Sequence, residues 1–213
     1  MKNSKDSISV RYELLINAKI RDVFPLTCPV MEYKWTNGWK CELINCPNGY
    51  VELGGVFKEI MTAPVFMGSV RGKTTWTNIK SDTNNFQRYF ELKNKVSTSF
   101  WKMEMFPVEN TSTKFTFEVI YKAITKKGEG LIKNNLSKKL HFVLSLMGME
   151  LKYYCENGKM ISTPEVMKFV EKSDCFSFSD KCRLVLNRLA MAIMRDNDKK
   201  RFLAGKPVSK SNH

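Results

Sequence analysis

Arg88 is the residue whose type and position most directly suggest binding chemistry. It shares the strand parity of Phe90 and Leu92, so an alternating strand turns its side chain toward the apolar face. A buried guanidinium needs an anionic partner. Glu59 is one candidate, because it shares the parity of the apolar Phe57, and the carboxylate or phosphate of a ligand is the other. A register slip of one residue would instead leave Arg88 in water.

Signatures of catalysis and of metal binding are missing from the sequence. It has no G-x-S-x-G elbow, no P-loop and no dinucleotide fingerprint. Apart from the terminal histidine, the only one is His141, which we expect to face solvent or the C-terminal helices. The cysteines form no CxxC pair, and we predict that they are reduced, packed thiols: Cys28, Cys41, Cys46, Cys155, Cys175 and Cys182. We therefore predict no metal and no cofactor, and we assign no catalytic residue.

The composition is that of a folded protein with a basic surface. The 213 residues are 43% hydrophobic and 26% charged, which excludes a disordered or low-complexity chain. The longest stretch without a charge, 60–70, is too short for a membrane helix. The N-terminus has no apolar signal-peptide core, which predicts a cytoplasmic protein. The formal net charge of +14 favours an anionic partner.

Alternating hydrophobicity predicts seven strands, of which the last six are consecutive with short turns, which is typical of an antiparallel meander. Between the first strand and the second, two short helices are expected at 18–24, capped by Asn17, and at 30–35. Turns are predicted at 47–49 and 81–84, and the pair Gly54-Gly55 indicates a bulge or bend. The predicted strands are 8–16, 39–43, 50–60, 71–80, 86–92, 96–106 and 113–125.

The segment 129–155 changes to a helical period. Its apolar residues are spaced by four, four, three, four, four and three positions, which predicts one amphipathic helix about 40 Å long. Asn157-Gly158 ends it. The stripe comprises Ile132, Leu136, Leu140, Val143, Met147, Leu151 and Tyr154. The predicted fold class is therefore α+β: a curved seven-stranded antiparallel sheet that wraps around a long C-terminal helix, in a helix-grip arrangement.

The remaining chain predicts a helical extension. Some apolar residues lie off the stripe and need a cover: Leu131, Phe142, Leu146 and Met149. Thr163-Pro164 predicts the start of a helix to about residue 172, and Ser179 predicts the cap of another at 180–195. We expect these helices to pack outside the long helix or to form a homodimer contact. The predicted domains are 7–157 and 158–213.

The segment from Cys28 to Trp39 resembles the C-P-V-x-E-x-x-W-x-x-G-W signature of some bacterial SRPBCC proteins. That superfamily includes START lipid-transfer domains, the birch-pollen allergen type and polyketide cyclase/dehydrase-like proteins. The resemblance covers about residues 7–157, and residues 158–213 have no counterpart in a minimal domain. Within the signature, Trp35 and Trp39 suit the closing of one end of the core, and Glu32 suits a cap or a basic partner.

The resemblance implies a cavity between the sheet and the long helix. Projecting the alternation inward gives candidate lining residues, which would otherwise simply fill the core. The candidates from the strands are Tyr12, Leu14, Trp76, Phe90, Trp101, Met103, Phe117, Val119 and Tyr121, and those from the helix are Leu136, Leu140, Val143 and Met147. Glu59 and Arg88 complete the predicted ligand-binding set.

Three functions are compatible with this interpretation. The first is the binding, carrying or sensing of a hydrophobic or amphipathic small molecule or lipid. The second is a polyketide cyclase/dehydrase-type enzyme, in which Arg88, Glu59 and Tyr12 would supply the polar groups. The third, also implied by the resemblance, is a protein-interaction module like the superfamily's activators of a chaperone ATPase.

The positive charge is concentrated in two segments. Residues 126–140 and 195–213 each carry four net positive charges, which is eight of the fourteen. This pattern is compatible with a solvated face or with contact to an anionic membrane surface. Nucleic acid is a weaker prediction, since no reader motif accompanies the charge.

Overall fold

A curved antiparallel sheet of seven strands dominates the computed structural model, which describes residues 6–36, 41–59 and 74–172. The strand order is β1-β7-β6-β5-β4-β3-β2, so each strand pairs with its sequence neighbour except that β1 closes onto β7. The strands are β1 Ser7–Ile16, β2 Cys41–Asn45, β3 Val56–Glu59, β4 Thr74–Asp82, β5 Gln87–Lys93, β6 Ser97–Val108 and β7 Ser112–Ala123. The predicted meander and α+β fold class are confirmed.

Short helices connect β1 to β2. They are α1, Ile20–Val23, and two 3₁₀ helices, Phe24–Thr27 and Pro29–Lys34. The predicted cap at Asn17 is wrong: Lys19 precedes the first helical turn. Asn17 is held elsewhere, because its backbone N–H donates to Glu156 Oε1 at 2.9 Å.

Two strand boundaries differ from the prediction. The expected strand at 50–60 begins only at Val56, because Gly54 adopts φ +77° in a turn. The N–H of Gly54 donates to the carbonyl of Asn78. Conversely, β4 continues through the expected turn to Asp82, with a bulge between Asn78 and Lys80. The predicted strand starts at 39 and 71, and the end at 60, lie outside the described residues.

The predicted helix at 129–155 is two helices, α2 (Lys126–Lys133) and α3 (Leu136–Asn157). The break falls at Asn135, which adopts φ +61°, in the left-handed region that asparagine tolerates better than most residues. Helix α3 alone has 22 residues, about 33 Å. It ends at Gly158 with φ +69°, as Asn157-Gly158 predicted.

Helix α3 lies against the inner face of the sheet, and its closest approach is to β1. A Cβ built on Gly148 would stand 2.8 Å from Tyr12 Cε1 and 3.3 Å from Leu14 Cδ1, so glycine permits this crossing. The fully buried residues of α3 include Leu144, which the predicted stripe omits. The helix is therefore rotated slightly from the expected phase, and Val143 and Met147 are only half-buried.

Helix α4, Thr163–Glu171, covers the outer side of α3 as predicted. The second apolar cluster consists of Phe142, Leu146, Ile161, Val166 and Val170, with Met149 packed against it. Leu131 belongs instead to the main core. The N-cap is Ser162 rather than Thr163, because Ser162 and Glu165 form a reciprocal capping box. The expected helix at 180–195 lies outside the described residues, and both the division at 157 and the homodimer contact stay predictions.

Candidate functional site

The inner face of the sheet is an apolar wall made largely of the predicted lining residues. Those that are buried in the main core are Trp76, Phe90, Trp101, Met103, Phe117, Val119, Tyr121, Leu136 and Leu140. Those that are partly buried against it are Tyr12, Leu14, Val143 and Met147. The structure therefore brings the set together between the sheet and the helix.

Trp76 lies at the centre of this wall. Its ring is stacked on Phe57 at 5.9 Å between centroids and meets Phe90 and Trp101 edge-on at 6.1 Å and 5.2 Å. Such offset and edge-to-face pairs stabilise aromatic clusters beyond the area they bury. The indole also has a polar N–H group, Nε1, which donates a hydrogen bond to Glu59.

Glu59, at the end of β3, accepts that hydrogen bond: Trp76 Nε1 donates to Glu59 Oε2 at 2.9 Å. The carboxyl is buried, and its burial raises the pKa to about 7, with the indole hydrogen bond opposing the shift. The suggested pairing of Glu59 with Arg88 is wrong, since no nitrogen of Arg88 lies within 4.0 Å of a Glu59 oxygen. Glu59 and Arg88 lie near opposite ends of their strands, so the curved sheet separates them.

Arg88 is turned inward on β5 and is only 7% exposed, as its parity predicted. Its Nη1 donates to Thr27 Oγ1 at 3.1 Å, and its guanidinium carbon lies 4.9 Å from the centre of the Phe24 ring. Among the described residues, no carboxylate oxygen is within 4.0 Å, and Nε has no hydrogen-bond partner. Burial lowers the pKa of the guanidinium, and the fields of Cys28 and Glu32 oppose that shift.

Glu32, in the second 3₁₀ helix, is a second buried polar group near Arg88. Burial raises its pKa well above the usual value, Glu59 and Glu150 raise it further by repulsion, and Arg88 opposes them. Its Oε2 has no hydrogen-bond partner within the part of the chain that the structure describes. Burial therefore favours the protonated form of the carboxyl, which has a hydroxyl to donate.

Asn78 adds a third such atom on the inner face. Its Nδ2 donates to the Val51 carbonyl at 2.9 Å, whereas its fully buried Oδ1 has no partner among the described residues. Asn78 pairs with Phe90, two residues from Arg88 on the same side of β5. Buried polar atoms without partners are uncommon, and each calls for an explanation such as a bound molecule.

Sequence reasoning missed several polar residues of this region. Glu150 is 1% exposed on α3 and accepts from Thr36 Oγ1 at 2.6 Å, and Thr27 holds Arg88. A glutamate directly before Leu151 of the apolar stripe was the available signal for Glu150. Nothing in the sequence could pair Thr27 with Arg88, because the two are 61 positions apart.

His141 faces outward, as expected. It is exposed and meets the edge of Tyr12 at 5.6 Å between ring centres. Within the described ranges, no group of three or more histidine, cysteine or acidic residues could hold a metal ion. No helix in those ranges is long and apolar enough to cross a bilayer.

Comparison with known proteins identifies the fold. No family model and no curated protein matches the chain. Among solved structures, a norcoclaurine synthase mutant from Thalictrum flavum in complex with a transition-state analogue is 12% identical, with 71% of this chain and 96% of that chain covered and a TM-score of 0.55. A conserved protein from Geobacillus kaustophilus is 12% identical over 71% and 97% of the two chains, with a TM-score of 0.53. The major latex-like protein 151 of Panax ginseng is 12% identical over 70% and 98%, with a TM-score of 0.51.

These likenesses define a class of fold. The seven-stranded curved sheet around a long helix is the helix-grip fold, which the SRPBCC superfamily shares. The sequence resemblance is thus confirmed at the level of the fold.

Proposed function

We propose that this chain binds a hydrophobic or amphipathic small molecule between the sheet and α3, with the ligand's acidic group at Arg88. The observation that carries the proposal is the guanidinium itself. It is buried, and among the described residues its side chain donates to the neutral hydroxyl of Thr27 and lies over the Phe24 ring, while its Nε has no hydrogen-bond partner there. A buried charge without a counter-charge is costly, so an anionic ligand would offset that cost.

The surroundings of Arg88 suit such a ligand. Burial raises the pKa of Glu32 and so favours its protonated form, which would donate a hydrogen bond to an anion rather than repel it. The aromatic wall around Trp76 would contact the apolar part of the molecule. The similar fold of norcoclaurine synthase, whose solved structure holds a transition-state analogue, supports an interior site of this kind.

Native mass spectrometry of the purified protein tests the proposal, followed by solvent extraction and identification of whatever the protein carries. We expect an amphipathic adduct at one molecule per chain, with a carboxylate or phosphate in it. An empty protein that also rejects a panel of fatty acids, phospholipids and polyketide-like aromatics would contradict binding and favour the protein-interaction module.

A second candidate, a cyclase/dehydrase-type enzyme, is favoured by one observation. The pKa of the Glu59 carboxyl is raised to about 7, where a general acid or base is most effective. Its carboxylate form would remove a proton from the carbon next to a ligand carbonyl, and its acid form would return it. The proton is conserved, and no cofactor is required.

Deuterium exchange tests this second candidate. We would incubate benzylacetone with the protein in deuterated buffer and follow loss of the proton signal beside the carbonyl by NMR. Catalysis predicts exchange above the buffer rate that Glu59→Gln abolishes. Equal exchange rates with wild type, with the variant and with buffer alone would contradict the enzyme hypothesis for this class of ketone. Ligand binding would then remain the proposed function.

A further inference from the structure

One end of the sheet carries a cluster of exposed lysines around an exposed isoleucine. The isoleucine is Ile124, 56% exposed, at the point where β7 passes into α2. The lysines are Lys93, Lys95, Lys122, Lys126 and Lys127, and all are exposed. We call these six residues the basic end.

Strand register fixes two of the lysines on either side of one threonine. Thr98 of β6 pairs with Lys93 of β5 on one side and with Lys122 of β7 on the other. Side chains of directly paired residues point to the same face of a sheet. Lys93 and Lys122 therefore flank Thr98 on the outer face, opposite the core.

Backbone contacts fix the other members. The N–H of Ile124 donates to the Val96 carbonyl at 2.9 Å, which ties the β5–β6 turn, with Lys95, to the start of α2. Gly128 packs on the same carbonyl so closely that a Cβ there would stand 2.4 Å from the oxygen. Lys126 and Lys127 thus project from a helix end that is seated firmly against the turn.

Little negative charge offsets the cluster. Lys93 pairs with Glu91 at 2.8 Å and Glu129 lies in the first turn of α2, whereas no carboxylate among the described residues lies within 4.0 Å of the other four lysines. Lys126 and Lys127 also occupy the first turn of α2, where the positive end of the helix dipole disfavours cations. The arrangement therefore costs stability and concentrates positive potential at one place.

We propose that the basic end docks on an anionic lipid bilayer. The lysines would contact the headgroups, and Ile124 would enter the boundary between headgroups and acyl chains. A bilayer suits the surface better than a nucleic acid does. The exposed side chain at its centre is aliphatic, so it offers no aromatic ring on which a base could stack. The surface is separate from Arg88, so the proposal stands or falls independently of the interior ligand.

Vesicle co-sedimentation tests the proposal. The probes are phosphatidylcholine vesicles with and without phosphatidylserine. We expect binding only to the anionic vesicles, weakened by salt. Each lysine near the headgroups strengthens binding roughly five-fold, so Lys126→Glu with Lys127→Glu is expected to weaken it at least about 25-fold. Ile124→Ser is expected to weaken it while leaving the salt dependence unchanged.

The matched control is Lys159→Glu with Lys168→Glu, which makes the same charge change at exposed positions beside and within α4. This control is expected to bind like wild type, and circular dichroism checks that all variants are folded. A wild type that ignores anionic vesicles at low salt would overturn the proposal, as would an equal loss in the control. Tight binding of a single-stranded oligonucleotide without vesicle binding, lost in the Lys126/Lys127 variant, would overturn it in favour of nucleic acid.

Discussion

Arg88 on β5 and Thr27 in the first 3₁₀ helix are joined by a hydrogen bond of 3.1 Å from Nη1 to Oγ1. The threonine hydroxyl is itself oriented, because it donates to the Phe24 carbonyl at 2.7 Å and so presents a lone pair to the arginine. The link orients the guanidinium without neutralising it. Its charge is thereby kept for a partner that the described residues do not supply.

Thr27→Val keeps the shape of the side chain and removes this acceptor. We expect a loss of about 1–3 kcal/mol in the free energy of unfolding, because a buried N–H of Arg88 then has no partner. Thr27→Ser keeps the hydroxyl and is expected to keep most of the stability. Urea denaturation of the three proteins measures the effect, and an equal loss in both variants would assign it to packing of the threonine methyl instead.

Glu59 is expected to make stability depend on pH. Its folded pKa of about 7 lies above the ordinary 4.5, so the folded state binds more protons between these values. The contribution of Glu59 to the free energy of unfolding is fully present below pH 4.5 and is lost as pH rises through about 7. The change is roughly 3 kcal/mol. Glu59→Gln, which can still accept from Trp76, is expected to be the more stable protein at pH 8 and to lose less stability as pH rises from 4.5.

Glu32 also makes stability fall as pH rises, because its pKa is raised as well. The Glu59→Gln protein therefore keeps part of the pH dependence of stability. The comparison is therefore the difference between the two proteins at each pH, measured by denaturant titration. Parallel stability curves for wild type and Glu59→Gln would show that Glu59 does not titrate in this range.

The two glycines of α2 are expected to respond oppositely to alanine. At Gly128 a Cβ would stand 2.4 Å from the Val96 carbonyl oxygen and 3.0 Å from Ala123 Cβ, so Gly128→Ala must displace backbone. We expect a loss of about 1–3 kcal/mol. Gly130 has nothing within 4 Å of such a Cβ, so Gly130→Ala is expected to gain up to about 1 kcal/mol from helix propensity. Thermal denaturation ranks the proteins, and a stabilised Gly128→Ala would contradict the tight seat of α2 on the β5–β6 turn.

Period and turn chemistry predicted most of the fold. The alternation in β7 and the end of α3 at Gly158 could be predicted, because each depends on residues a few positions apart. The break at Asn135 was not readable, because the apolar spacing runs through it unchanged and only a left-handed backbone reveals it. The start of β3 was misplaced for a similar reason, since the turn at Gly54 is fixed by hydrogen bonds to β4.

The site was predictable in its apolar part and only partly in its polar part. Parity placed Arg88 inward, because register alternates reliably within one strand. The polar neighbourhood combines Glu32 from a 3₁₀ helix, Glu59 from β3 and Glu150 from α3. Such clusters depend on how the sheet curves and where the helices cross it, and neither is encoded in local spacing.

The most direct test of the account compares two ligands that differ only in the polar group. Oleate and oleyl alcohol are titrated into wild type, Arg88→Met and Arg88→Lys, after circular dichroism shows that each protein is folded. We expect wild type to prefer the acid by about ten- to a hundred-fold, Arg88→Met to lose the preference and Arg88→Lys to keep part of it. Undiminished affinity of Arg88→Met for oleate would contradict the central claim that Arg88 recognises the acidic group of an interior ligand.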